Sequence, residues 1–132
     1  MNLPPILNFA LYFGTALLAW TATLTLYAWL TPYPELKLVR EGNQAAAWSL
    51  AGTALGLAMP LASLVVHAVS LQDLVSWALV ALLAQAVLWW VARRLLFPQL
   101  REAMLADRTS VGVLLGALSL GLGVINAASL SY

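Results

Sequence analysis

The sequence predicts an all-α integral membrane protein with four membrane-spanning helices, and three observations predict it. Of 132 residues, 63% are hydrophobic and 8% charged, with a mean hydropathy of +0.90; soluble domains run about 45–50% apolar and about 25% charged. Four runs, Ile6–Leu30, Ala45–Val69, Leu74–Ala92 and Ser110–Leu130, contain no Asp, Glu, Lys or Arg. Each is close to the roughly 20 residues a helix needs to cross the hydrocarbon. All six Lys and Arg residues fall in two connections. A chain of this size folding in water buries only about two-thirds of its surface, so a water-soluble enzyme and a disordered chain are excluded. The net charge of +1 leaves no electrostatic footprint for nucleic acid. The absence of Cys excludes disulfides and thiol chemistry. The partner that this composition implies is the lipid bilayer.

The first run reads as a retained helix. No basic residue precedes it, it is too long for a signal h-region, and it ends among Tyr27, Trp29 and Tyr33 instead of a small-residue cleavage site. Lys37 and Arg40 follow it, and Arg93, Arg94, Arg101 and Arg108 follow the third run. The positive-inside rule places both basic connections in the cytoplasm and both termini on the outer, periplasmic side. Trp29, Trp48, Trp89 and Trp90 then mark the inner interface, and Tyr12, Trp77 and Tyr132 the outer one. In both connections a proline (Pro34, Pro98) opens a helical turn, and Asn43 or Asp107 serves as N-cap of the following span. These turns are expected to lie at the interface, with Leu36, Val39, Leu100 and Met104 facing lipid and the charges facing water; an ordinary solvated loop is the other reading.

Pro34 and Pro98 lie 64 residues apart, as do Gly52 and Gly116. His67-Ala68-Val69-Ser70 also resembles Asn126-Ala127-Ala128-Ser129. Residues 1–132 therefore read as one domain of two tandem parallel two-helix repeats, about 6–69 and about 74–131. Two-span copies enter and leave on one side, unlike the common inverted-repeat transporters.

The second and fourth spans share a stripe of small residues. Gly52, Gly56 and Ser63 lie within an arc of about 80° on one helix, and Gly112, Gly116, Ser119 and Gly123 on the other. Each stripe includes GxxxG, which lets helix backbones approach in lipid. The contact is expected within one protomer or between protomers of a homo-oligomer; the alternative is a narrow polar path. His67 and Asn126 end the stripes at matching depth, as a polar outer-leaflet pair able to hydrogen-bond to each other. Pro60 is expected to kink the second span. Gln85 is a mid-membrane polar residue with an interhelical hydrogen bond as its default role.

Catalytic signals are missing. The one His lacks acidic or thiol partners at zinc-ligand spacing. No phosphate-binding Gly loop occurs in a strand–helix context, and no carboxylate lies inside the apolar runs. No catalytic, cofactor or metal site is expected.

Glu41-Gly42-Asn43-Gln44-Ala45-Ala46-Ala47, Gly52-x-x-x-Gly56, Met59-Pro60-Leu61 and His67-Ala68-Val69-Ser70 resemble the YjfL-type small bacterial inner-membrane proteins. So do Gly112-x-x-x-Gly116 and Asn126-Ala127-Ala128-Ser129. The resemblance covers nearly the whole chain and implies the same duplicated two-span unit. It also implies an inner-membrane location and a role in membrane stress or integrity, with envelope-stress proteins as partners. The chain departs from the pattern at His67, where Asn is usual, and at Asp107-Arg108, where an Asn is expected. The function read is a non-enzymatic, self-associating inner-membrane protein of envelope homeostasis. The alternative is a small oligomeric channel or transporter whose polar path follows the second and fourth spans.

Overall fold

The computed structural model describes residues 4–31, 33–96 and 99–130; Pro98 and Tyr132 lie outside them. Four long helices and two short ones follow one another: α1 Pro5–Leu30, α2 Glu35–Arg40, α3 Gln44–His67, α4 Leu71–Leu96, α5 Leu100–Leu105 and α6 Thr109–Ser129. No strand occurs among the described residues. The four long helices are each long and apolar enough to span a membrane. Such segments fold as helices because lipid offers no partner for an unpaired peptide group.

Local chemistry sets the boundaries. Pro5 stands at the first position of α1, where its missing N–H costs nothing. Ser70 Oγ accepts from the Asp73 N–H at 3.1 Å, and Asp73 Oδ2 accepts from the Val69 N–H at 3.3 Å; these two bonds start α4. α2 and α5 close in the same way. The Asn43 N–H donates to the Leu38 carbonyl and the Arg108 N–H to the Ala103 carbonyl. Gly42 (φ 86°) and Asp107 (φ 53°) occupy the left-handed position between.

α3 and α6 run parallel and form the centre of the molecule. Most of α1 faces outward, including Phe9, Phe13, Leu18 and Leu26. A polar contact ties it to α3: the Trp20 indole N–H donates to the Ala54 carbonyl at 2.8 Å. The short helices correct the expected interfacial reading. Leu100 and Met104 are buried in a core cluster with Tyr33, Leu38, Ala45, Ala46 and Leu115, not turned to lipid. In α2, Leu36 is exposed while Leu38 and Glu35 point inward. Burying Met104 and Leu38 against α3 and α6 removes apolar surface that neither water nor headgroups would cover.

Candidate functional site

The small-residue stripes meet inside one chain. A methyl group built on Gly52 would strike the Gly116 carbonyl, and one on Gly116 the Trp48 carbonyl. On Gly56 it would lie 2.8 Å from the Ser119 carbonyl carbon; on Gly112, 2.5 Å from Ala45 Cα; on Gly123, 2.5 Å from Gly56 Cα. Backbone packs on backbone along the seam, and the one side chain among these nearest neighbours is Gln85, whose Nε2 lies 3.2 Å from the Gly56 position. Polar side chains finish it: Thr53 Oγ1 donates to Ser119 Oγ at 3.2 Å, and Ser63 Oγ donates to the Ala127 carbonyl at 2.9 Å. Pro60 is buried within a continuous α3. Its ring deprives the Gly56 carbonyl of its helical donor, and Gly123 packs against that carbonyl.

Two expected placements are corrected. Asn126 does not turn to His67. Its Nδ2 donates to the Ala81 carbonyl at 2.8 Å and to Gln85 Oε1 at 3.3 Å, because α4 passes beside α6 at that depth. His67 Nδ1 lies 2.8 Å from the Ser63 carbonyl in its own helix. Asp107 is not the N-cap of α6; that position is Arg108, without a side-chain cap bond. Asp107 Oδ1 instead accepts from the Ala45 N–H of α3 at 2.9 Å. Asn43 is the N-cap of α3: its Oδ1 accepts from the Ala46 N–H at 2.8 Å, while its Nδ2 donates to the Met104 carbonyl at 2.8 Å. The two turns thus cap α3 together, one from each half of the chain.

A second feature lies at the end of the molecule that carries α2 and α5. Glu35, the first residue of α2, is 1% exposed. The Tyr27 hydroxyl donates to its Oε1 at 3.4 Å, but its Oε2 has no partner. Burial lifts this carboxyl from the usual 4.5 to about 7, against the opposing pull of the Tyr27 hydroxyl. The Tyr33 hydroxyl and Ser49 Oγ beside it are also buried without partners; burial, with the nearby Tyr27 and Glu35, pushes the Tyr33 phenol up. Tyr27 packs edge-on against Trp89 at 5.0 Å, and the Arg93 guanidinium sits 4.8 Å above the Trp89 ring. Trp89 Nε1 and Arg93 Nη1 are buried and unpaired. Every buried, unpaired side-chain polar atom found among the described residues belongs to this one cluster.

The cluster borders a cavity of about 260 Å³ between α1 and α4. Leu26, Leu57 and Leu82 form apolar walls, Thr53, Ser119 and Gln85 lie deeper, and Tyr27, Trp89 and Arg93 stand at the α2/α5 end. A wider cavity of about 750 Å³ near the start of α1 has no charged lining. Among the described residues no group of three metal-ligating side chains occurs.

Sequence reasoning missed Glu35 by assigning it to a wet connection. The available signal was a carboxylate that follows Tyr27 and Tyr33 directly after the apolar run, ahead of the cations Lys37 and Arg40.

A parallel helix pair locked by backbone contact, flanked by two outer spans, defines a small multi-pass helical membrane protein. The chain belongs to the DUF350 family, whose model, described as a Domain of Unknown Function, matches residues 1–130. It is 33% identical over 130 residues to the UPF0719 inner membrane protein YjfL of Escherichia coli strain K12, covering 98% of each chain. The same protein of E. coli O157:H7 matches equally. No solved structure gives a significant match. The relatives' name and the four spans make this chain a multi-pass protein of the inner membrane.

Proposed function

We propose that this protein acts without catalysis, as a structural element of envelope homeostasis in the inner membrane, in company with envelope-stress proteins. The family resemblance supports the setting. The observation that carries the reading against a channel is the seam: along Gly52, Gly56, Gly112, Gly116 and Gly123 the backbones of α3 and α6 touch, which leaves no width for water or ions. Self-association belongs to the proposal through surfaces outside the seam, since the glycines are consumed within one chain. The two halves, each a long, a short and a long helix, are inferred to be tandem copies of one unit.

The termini are proposed to lie in the periplasm, with α2 and α5 in the cytoplasm. All six basic residues sit at the α2/α5 end, and the positive-inside rule then sets the orientation. A C-terminal alkaline phosphatase fusion is expected to be active, and an inactive one refutes the orientation.

The test of the main reading is flux. Purified protein in liposomes is expected to pass no Na⁺, K⁺, Cl⁻ or H⁺ above protein-free vesicles. Flux that Gly52→Leu abolishes would replace the reading with a channel along α3 and α6. In cells, deletion is expected to raise dye permeability of the inner membrane, with wild-type chain restoring it. Unchanged permeability under envelope stress would refute the homeostasis role.

A further inference from the structure

We propose that the cavity between α1 and α4 is a binding site for an anionic phospholipid from the leaflet on the α2/α5 side. In this site Arg93 and the Trp89 indole N–H hold the phosphate, and an acyl chain lies between Leu26, Leu57 and Leu82. The site does not depend on the homeostasis reading.

Four observations carry it. First, Arg93 is a half-buried cation whose Nη1 has no hydrogen-bond partner, and it rests on an aromatic face, not on a carboxylate. An arginine so placed keeps its donor fork available for phosphate. Second, Trp89 presents an unpaired buried N–H one helical turn away on α4. Two unpaired donors on one wall call for an acceptor, and a buried donor without one costs about 1–3 kcal/mol. Third, the lining changes along its length, from Arg93, Trp89 and Tyr27 at one end, past Thr53, Gln85 and Ser119, to Leu57 and Leu82, and its surface is mostly apolar. That is the polarity of a lipid with its head at the interface. Fourth, the rim residues Leu26, Ala86 and Trp90 are exposed on the membrane-facing sides of α1 and α4, so a chain enters sideways from the bilayer. The volume of about 260 Å³ falls just under the roughly 300–1,000 Å³ of sites that enclose a whole small molecule. It suits a segment of a ligand whose remainder stays in the bilayer.

A negative headgroup fits better than a zwitterionic one. The charge at the mouth is Arg93, with Arg94 stacked on Trp90 beside it at 4.9 Å. The one carboxylate of the cluster, Glu35, does not line the cavity, and the Trp89 and Trp90 rings that could receive a choline already carry Arg93 and Arg94.

The experiment is lipid retention by native mass spectrometry, after exchange of the purified protein against equimolar phosphatidylglycerol and phosphatidylcholine. Wild type is expected to keep phosphatidylglycerol roughly tenfold over phosphatidylcholine, the scale of a charge-assisted phosphate contact. Arg93→Gln abolishes the preference, Arg93→Lys keeps part of it, and Trp89→Phe weakens it while retaining the ring. Lys37→Gln, which removes an exposed cation of α2, leaves it unchanged. Circular dichroism of each variant confirms the fold. Equal retention of both lipids by wild type, an unaltered preference in folded Arg93→Gln, or an equal loss in Lys37→Gln would each overturn the site. So would displacement of phosphatidylglycerol by millimolar inorganic phosphate, which would assign Arg93 to a free anion.

Discussion

Replacing Glu35 by glutamine is expected to erase a pH dependence that the wild-type protein carries. The carboxyl is buried, and its Oε2 has no hydrogen-bond partner. Burial therefore favours its neutral form and raises its pKa from 4.5 to about 7. Each unit of pKa corresponds to about 1.4 kcal/mol, so the displacement amounts to about 3 kcal/mol. The sign follows from proton binding. Between pH 4.5 and about 7 the folded protein keeps a proton that the unfolded chain has released, so stability falls as pH rises through that window. Above about 7 both states are ionised and the loss is complete and constant. Below 4.5 both are protonated and nothing is lost. Glutamine keeps the shape without the charge, so the stability of the variant minus that of wild type should climb by about 3 kcal/mol from pH 4.5 to 8. Other titrating groups cancel in this difference. Reversible SDS unfolding in mixed micelles, followed by far-UV circular dichroism at half-unit pH steps, measures it. Parallel curves for the two proteins between pH 5 and 7.5 would refute the claim that Glu35 is sealed from water.

The seam makes a sharper steric claim. Gly52→Ala and Gly123→Ala push a methyl group into backbone and should each lower stability by about 1–3 kcal/mol; Gly14→Ala and Gly121→Ala meet open space and should raise it by about 0.5–1 kcal/mol through helix propensity. Asp107→Ala removes the carboxylate that caps α3 and puts alanine at φ 53°; it should cost about 2 kcal/mol, about 1 for the cap and about 1 for the left-handed backbone, visible as a lower midpoint in the same SDS titration, while Asp107→Asn recovers part of it. Asn126→Ala deletes the bonds to Ala81 and Gln85 and should cost about 0.6–1.7 kcal/mol, the range for hydrogen bonds between membrane helices. His67→Ala should leave that loss unchanged when the two substitutions are combined, because the side chains belong to separate contacts.

The spans were legible because charge-free runs of membrane length have few alternatives. The glycine stripes were legible as packing surfaces because lipid leaves close backbone approach as the main adhesive. What they packed against was not, since periodicity defines a face and not its partner. Asn126 shows the difference. Equal depth on neighbouring stripes pointed to His67, but the amide bonds to α4, an element whose rotation the apolar sequence does not encode. Asp107 failed for another reason. Its turn closes one residue later than the proline spacing implies, so the acid falls on the left-handed position before the cap. From there its carboxylate reaches the other turn, which only the assembled fold brings near. Glu35 was hidden by its charge: an acidic residue beside Lys37 and Arg40 reads as wet until α1 and α3 are seen to close over it.

The shared capping of α3 has a consequence for how the chain is made. The Ala45 N–H finds its acceptor 62 residues downstream, a stretch that takes roughly 3–12 s to synthesise at about 5–20 residues per second. The first hairpin therefore leaves the ribosome with one end of α3 unfinished and its glycine face bare to lipid. Insertion and completion are separate events, and the later one waits on the fourth span. A chain halted after α4 would hold three threaded spans with the glycine face of α3 left unpaired, the kind of intermediate that membrane quality control can recognise and remove.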